Sequence, residues 1–259
     1  MEFPFWELFF SLLLLAVPLA VFWRLGGGML RSSAVAVGRM AVQLLFVGIY
    51  MEWLYALNSR AADLLWMVLM TAAAAFSLVR RSCLSWKKLL LPVAGGLFAS
   101  VVLVGLYLLV AVMHPAKLTD THWTMPVFGL LLSGVQSVGK AVLEAFYSGL
   151  RHNSAQYYFL LGNGASHREA VLPFVKGALQ KGYAPLLASV SVVGIATMPD
   201  MMMGTMLGGV APATAAVWQT GILAGILAAP VVFTAVVLYL ADGLAFDRCG
   251  RLRDVFRQD

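Results

Sequence analysis

The chain has 259 residues, of which 61% are hydrophobic and only 12% charged, with a mean hydropathy of +0.86. No soluble core needs that much apolar surface, so the composition marks an integral membrane protein. Two cysteines exclude a disulfide scaffold, the aliphatic and aromatic load excludes disorder, and continuous rather than alternating apolar runs argue against a membrane β-barrel.

Apolar stretches run at about 4–23, 34–57, 62–79, 89–113, 124–150, 185–208 and 214–241. Backbone groups in lipid must be satisfied within their own segment, so each stretch is read as a helix. The expected fold is an all-α integral membrane protein of about seven transmembrane helices in one transmembrane domain, residues 1–259. The first stretch has Glu2 and Glu7 before or within it and Arg24 after it, the reverse of a signal peptide's charge order. It is read as a mature helix.

The net charge of +6 becomes a topology signal once it is mapped. An outer N-terminus places Arg24 and Arg31 in the first inner loop, and Arg80, Arg81, Lys87 and Lys88 in the second. The third receives Arg151, Arg168, Lys176 and Lys181, and the inner tail Arg248, Arg251, Arg253 and Arg257. Fourteen of the 18 basic residues then lie inside, a strong positive-inside bias. The C-terminus is cytoplasmic on this reading, and Cys83 and Cys249 are free thiols on the reducing side. The outer loops, NSRAAD, HPAKLTDTHW and GGVAP, are short. The longest loop, about 151–184, faces the cytoplasm and is the expected partner surface.

Nothing in the chain reads as an engine. Gly26-Gly27-Gly28 lacks the Gly-Lys-Ser/Thr that would cradle a nucleotide phosphate, and reads as a flexible turn. The histidines, His114, His122, His152 and His167, show no helical ligand spacing; His114 and His122 share an outer loop that can touch a metal or simply be solvated. The sequence does not assign a Ser/His/Asp set to one side of the membrane, so an intramembrane enzyme is unsupported, and nucleic acid is not an expected partner.

Residues 161–173 read LGNGASHREAVLP. Gly164 permits a tight turn, Ser166 can cap a helix, and Glu169 stands at the capping-box position three residues on. The run Gly164-Ala165-Ser166, followed by Arg168, Glu169 and Ala170, resembles the coupling segment of ABC-transporter permeases. In that family the segment is a short helix that inserts into a groove on the ATPase subunit; the other reading is an ordinary amphipathic inner loop. Residues 193–209 read VGIATMPDMMMGTMLGG. They look like the signature of the FetB-type permeases, a family associated with iron export that also includes plant aluminium-tolerance permeases. Val193, Gly194, Ile195, Pro199, Met201, Met202, Gly204, Gly209 and Gln219 match, as do Arg39, Gln43, Leu44 and Gly48 nearer the N-terminus. The resemblance covers nearly the whole chain. Departures are Asp200 in place of Gly, Met203 in place of Thr or Ser, Trp218 in place of Tyr, and a fifth span lacking the family's Gly-Met-x-x-Gly-Asn. They leave the permease reading intact and put the substrate in doubt.

Charged side chains at mid-bilayer cost about 3 kcal/mol on insertion scales, so they should face protein or water. Arg39 and Glu52 lie about 9 Å or less from the ends of their predicted span and either snorkel to an interface or face a pathway. Lys140 and Glu144, four apart, either pair with each other or serve a pathway. Gln43, Gln136 and Gln219 can bridge helices. Met198, Met201, Met202, Met203 and Met206 either fill irregular packing or contact a soft metal. Pro199 breaks the sixth helix near mid-span, with Gly204 a turn on, and such breaks are where transporters often place their sites. Asp200 there needs a cation, a donor or water, with Lys140 or Arg39 as protein partners.

The resemblance implies the membrane subunit of an ABC exporter without catalysis of its own. It would work as two copies in the inner membrane, with two ATPase subunits that carry the ATP and Mg and with iron or another metal cation as cargo. The alternatives are a permease of the same family for an organic or sugar-nucleotide solute, and a stand-alone transporter driven by protonation of Glu52, Glu144 or Asp200.

Overall fold

The computed structural model describes residues 6, 10, 13–25, 27–57, 59–82, 85–114 and 120–247. Glu2, Glu7, Gly26, Cys83, Lys117 and the tail from Arg248 onward, including Cys249, lie outside the described residues. The chain divides into two compact units, residues 1–57 and 58–259.

The first unit holds α1 (Ala16–Leu25) and α2 (Gly27–Leu57), which contact each other. α2 starts seven residues before the predicted second span, so Arg39 lies about 18 Å from the helix start rather than near it. Its apolar residues point all round the helix, with Val42, Leu44, Phe46 and Ile49 exposed on different faces, the mark of a helix surrounded by lipid or by other membrane helices.

The second unit holds α3 (Arg60–Arg81), α4 (Trp86–Leu108), α5 (Thr121–His152), α6 (Ser154–Gly162), α7 (His167–Ser191), α8 (Asp200–Leu207) and α9 (Pro212–Ala245). α4 widens into a π-helical turn, Leu109–Met113, and stops at His114, whose φ of 46° is left-handed. α3, α5 and α9 run one way and α4 and α7 the other, as their neighbours show. Thr121 meets Asp63 and Gly139 lies beside Leu78, whereas Gly182 of α7 lies beside Val142 and Gly149 beside Phe174. α5 is the central helix, packed on α3, α4, α7 and α9.

Small residues let the backbones approach. Phe233 of α9 is fully buried between α4 and α5, filling the space that a side chain at Gly139 would occupy, and its neighbour Val237 fills that at Gly96. Without a hydrophobic drive between helices in lipid, such close fits carry the association.

Five helices among the described residues are long and apolar enough to cross a membrane: Leu30–Leu57, Arg60–Arg81, Leu89–Met113, Thr121–His152 and Pro212–Leu244. This differs from seven continuous spans in two places. The stretch 4–23 is described at residues 6, 10 and 13–23, where the helix Ala16–Leu25 is too short to count among these spans. The sixth stretch is not one helix: α7 ends at Ser191, residues 192–199 turn, and α8 restarts at Asp200.

The segment 151–184 also differs from the expected loop. It consists of the end of α5, α6, a turn at 163–166 and most of α7. Pro173 and Pro185 both sit inside α7, each removing a backbone donor at a cost of about 3 kcal/mol. Ala170, Phe174, Ala178 and Gly182 are buried at four-residue spacing, and the packing of that stripe on α5 sustains the helix through both prolines.

A capped turn, a broken span and a polar groove

The turn at 163–166 is built from the sequence upward. α6 ends in a Schellman arrangement: Ala165 N–H donates to Leu160 O at 3.1 Å and Gly164 N–H to Leu161 O at 3.1 Å. Gly164 takes φ 86°, the left-handed position that this closure requires. Ser166 then caps α7. Its backbone N–H and hydroxyl both donate to Glu169 Oε2 at 2.8 Å, and Glu169 N–H donates back to Ser166 Oγ at 3.4 Å. The capping box expected from the sequence is formed. Those bonds from the Ser166 hydroxyl and backbone hold the Glu169 carboxyl below its usual range. Gly164, Ser166, Arg168 and Glu169 are exposed, while Ala170 is completely buried.

Behind this turn His167 links three helices. Its Nδ1 is hydrogen-bonded to the Tyr157 hydroxyl of α6 at 2.8 Å, and its Nε2 to Asp242 Oδ1 of α9 at 2.8 Å. Phe246 packs edge-on against the imidazole, centroids 4.5 Å apart. The His167–Asp242 contact, at 2.8 Å, is also within ion-pair distance. Sequence reasoning passed over both partners, because Tyr157 and Asp242 lie 10 and 75 positions away.

The break in the sixth span follows Gly194, at φ 85°, whose N–H donates to Thr197 O at 2.8 Å. Pro199 precedes the first turn of α8, and Asp200 is its first residue, where a carboxylate favours the helix dipole. Asp200 is exposed and makes no ion pair among the described residues, so the structure gives it no partner in Lys140. Gln219 behaves as the helix bridge expected of it: it is 7% exposed, and its Oε1 accepts from Met202 N–H at 3.1 Å. Met201 packs against the core, Met198 and Met203 are exposed, Met202 and Met206 are partly buried, and Gly204 is open. Among the described residues no group of three His, Cys, Asp or Glu side chains could hold a metal.

Lys140 and Glu144 are both exposed on α5 and are not within ion-pair distance of each other, so the expected i,i+4 pair is not formed. Lys140 instead lines a groove of about 480 Å³ between α3 and α5, with Gln136, Ser137, Ser133 and Arg81. The structure therefore separates the predicted pathway residues into two places in the second unit: the α8 break with Gln219, and the α5 face. Arg39, Gln43 and Glu52 are exposed on α2 in the first unit.

Sequence reasoning also missed Asp63. This acid is 7% exposed at the start of α3, and its Oδ2 accepts from the Thr121 hydroxyl of α5 at 2.7 Å. It falls inside the motif NSRAAD, which reads as an outer loop, and nothing local signals a partner 58 residues on.

The chain matches the uncharacterised protein family UPF0014 over residues 5–246. It belongs to that family. UPF0014 relatives include the UPF0014 membrane protein slr1647 of Synechocystis, 26% identical over 71% of each chain. The Escherichia coli protein named "Probable iron export permease protein FetB" is 20% identical over 79% of this chain and 78% of its own. Protein ALUMINUM SENSITIVE 3 of Arabidopsis thaliana is 26% identical over 53% of this chain and 51% of its own. No solved structure matches. The resemblance drawn from the sequence motifs is thus borne out, and this UPF0014 member is a multi-pass α-helical membrane protein.

Proposed function

We propose that the chain is the permease subunit of an ABC transporter, driven by a separate ATPase that docks on the turn at 164–170. One observation carries this reading: the exposed, capped turn leads directly into α7, which runs unbroken for 25 residues, about 37 Å, along the central helix α5. A push on the turn therefore moves a rigid rod whose far end is the break before α8.

The orientation follows from charge. The end of the second unit that carries the turn also carries Arg80, Arg81, Arg151 and Arg168, which supports a cytoplasmic position for that end; the N-terminus outside is the topology that the charge count favours. The membrane is the plasma (inner) membrane, and two copies of the chain pair with two ATPases, on which ATP and Mg are held. The cargo suggested by the relative named for iron export is iron or another metal cation. The α8 break, with Asp200, the exposed Met198 and Met203, and the Gln219 bridge, is the place in the second unit where a cation would meet a carboxylate and thioethers.

Glu169→Lys tests the docking. It removes the carboxylate from the box and reverses the charge of an exposed residue, without touching the buried stripe of α7. The expected result is a folded protein that loses its ATPase on purification or hydrolyses ATP without moving substrate. A variant that retains its ATPase and transports like wild type contradicts the reading, as does ATP-independent transport by the purified chain alone.

A further inference from the structure

The groove between α3 and α5 is not used by the coupling reading, and its lining changes character along its length. At one end lie Arg81 and Lys140, two cations. Leu78 lies level with Lys140, Gln136, Ser137 and Ser133 follow, and Met70, Leu132 and Gly129 line the other end. Lys140 and Arg81 make no ion pair among the described residues. Two like charges facing one cavity beside a membrane are costly without a counter-charge.

The height of the cationic end is fixed by the helices. α3 has 22 residues, about 33 Å, which matches the thickness of the hydrocarbon core. Arg81 is its last residue, so it stands at the membrane boundary. Leu78 lies beside Gly139, which puts Lys140 at nearly the same level. From Lys140 the lining on α5 extends back to Gly129, about 16 Å into the bilayer.

We propose that this groove is a binding site for a phosphate-bearing anion, and that its source is an anionic phospholipid. The phosphate sits between Arg81 and Lys140, Ser137 and Gln136 meet the ester region, and an acyl chain lies against Met70 and Leu132. Charged, polar and apolar linings follow one another in the order that a lipid presents them. Basic pockets between membrane helices at the cytoplasmic boundary suit such headgroups, and the volume falls in the range of small-molecule sites, about 300–1,000 Å³. The inference does not depend on the ATPase reading.

The full chain is placed in nanodiscs of phosphatidylcholine alone or with phosphatidylglycerol, and thermal unfolding is followed. Phosphatidylglycerol should raise the midpoint of the wild type and of Lys176→Gln, a charge change outside the groove. The rise should vanish in the double variant Arg81→Gln, Lys140→Gln. An equal rise in the double variant, or no rise in the wild type, overturns the site. Inorganic phosphate in phosphatidylcholine discs separates the sources: no effect supports the lipid. A protection that equals that of phosphatidylglycerol and needs the same two residues overturns the lipid and leaves a soluble phosphate as ligand. Should the double variant fail to fold, Ser137→Cys in a Cys83→Ser, Cys249→Ser background serves instead. Its reaction with a water-soluble maleimide should slow when phosphatidylglycerol is present, and equal rates in the two disc types overturn the proposal.

Discussion

At the residue scale, the polar contacts that hold this molecule together are few and specific. Asp63 illustrates the stakes, since only Thr121 satisfies one oxygen of a buried carboxylate, and Oδ1 has no partner among the described residues. Thr121→Val keeps the shape and removes the donor. It should lower stability by about 1–3 kcal/mol, the cost of an unsatisfied buried acceptor, read as a shift in the denaturation midpoint; an unchanged midpoint would show that Asp63 finds another donor. Glu169 gives a pH signature. Its folded-state carboxyl titrates below the ordinary value of 4.5, so its contribution to the cap is present above that value and is lost as pH falls through the lowered one. Amide exchange at Ser166 should therefore stay slow at neutral pH and show added opening only in acid. The Ser166–Glu169 box was legible in the sequence because it is a three-residue relationship. The His167 contacts and the Asp63–Thr121 contact were not, because their partners are brought together only by the packed bundle.

At the element scale, apolar length identified the spans from 34 to 150 and the last one, and Pro199 announced the break in the sixth. The segment from 151 to 184 reads as a loop because prolines, glycines and charges interrupt it. Its helical signal is a different one: Ala170, Phe174, Ala178 and Gly182 repeat every four residues and form the stripe that α5 accepts. Tertiary contact with α5 outweighs the prolines, and a single sequence does not display that contact. Along α7 the tightest glycine is Gly182, where an added Cβ would stand 3.3 Å from the Val138 carbonyl oxygen and press on the Val142 side chain. Gly182→Leu should destabilise the bundle by about 1–3 kcal/mol through overpacking. Gly177→Leu, five residues earlier and with open space around it, should leave the unfolding midpoint nearly unchanged. Equal effects at the two positions would mean that α7 does not lean on α5 as described. The absent Lys140–Glu144 pair teaches the same lesson from the other side: spacing permits a contact, and the surroundings decide whether it forms.

At the largest scale, Arg80, Arg81, Arg151 and Arg168 gather at the end of the second unit where α6, the capped turn and the start of α7 project beyond α3. The opposite end holds Asp63, His114, Thr121 and the start of α9. This polarity was readable from the charges alone, whereas the rod that joins the exposed turn to the broken span was not. On the proposed reading, an ATPase engages the turn and α7 carries its motion inward. The most direct measurement is photocrosslinking in the co-expressed complex of chain and ATPase. A photoreactive residue replaces Arg168 in one variant and Ala213, at the opposite end of the bundle, in another. The expected result is a covalent adduct between this chain and the ATP-hydrolysing subunit from position 168, changed in yield by ATP, and none from position 213. An adduct from 213 and not from 168, or none from 168 in a complex that still transports, would contradict it.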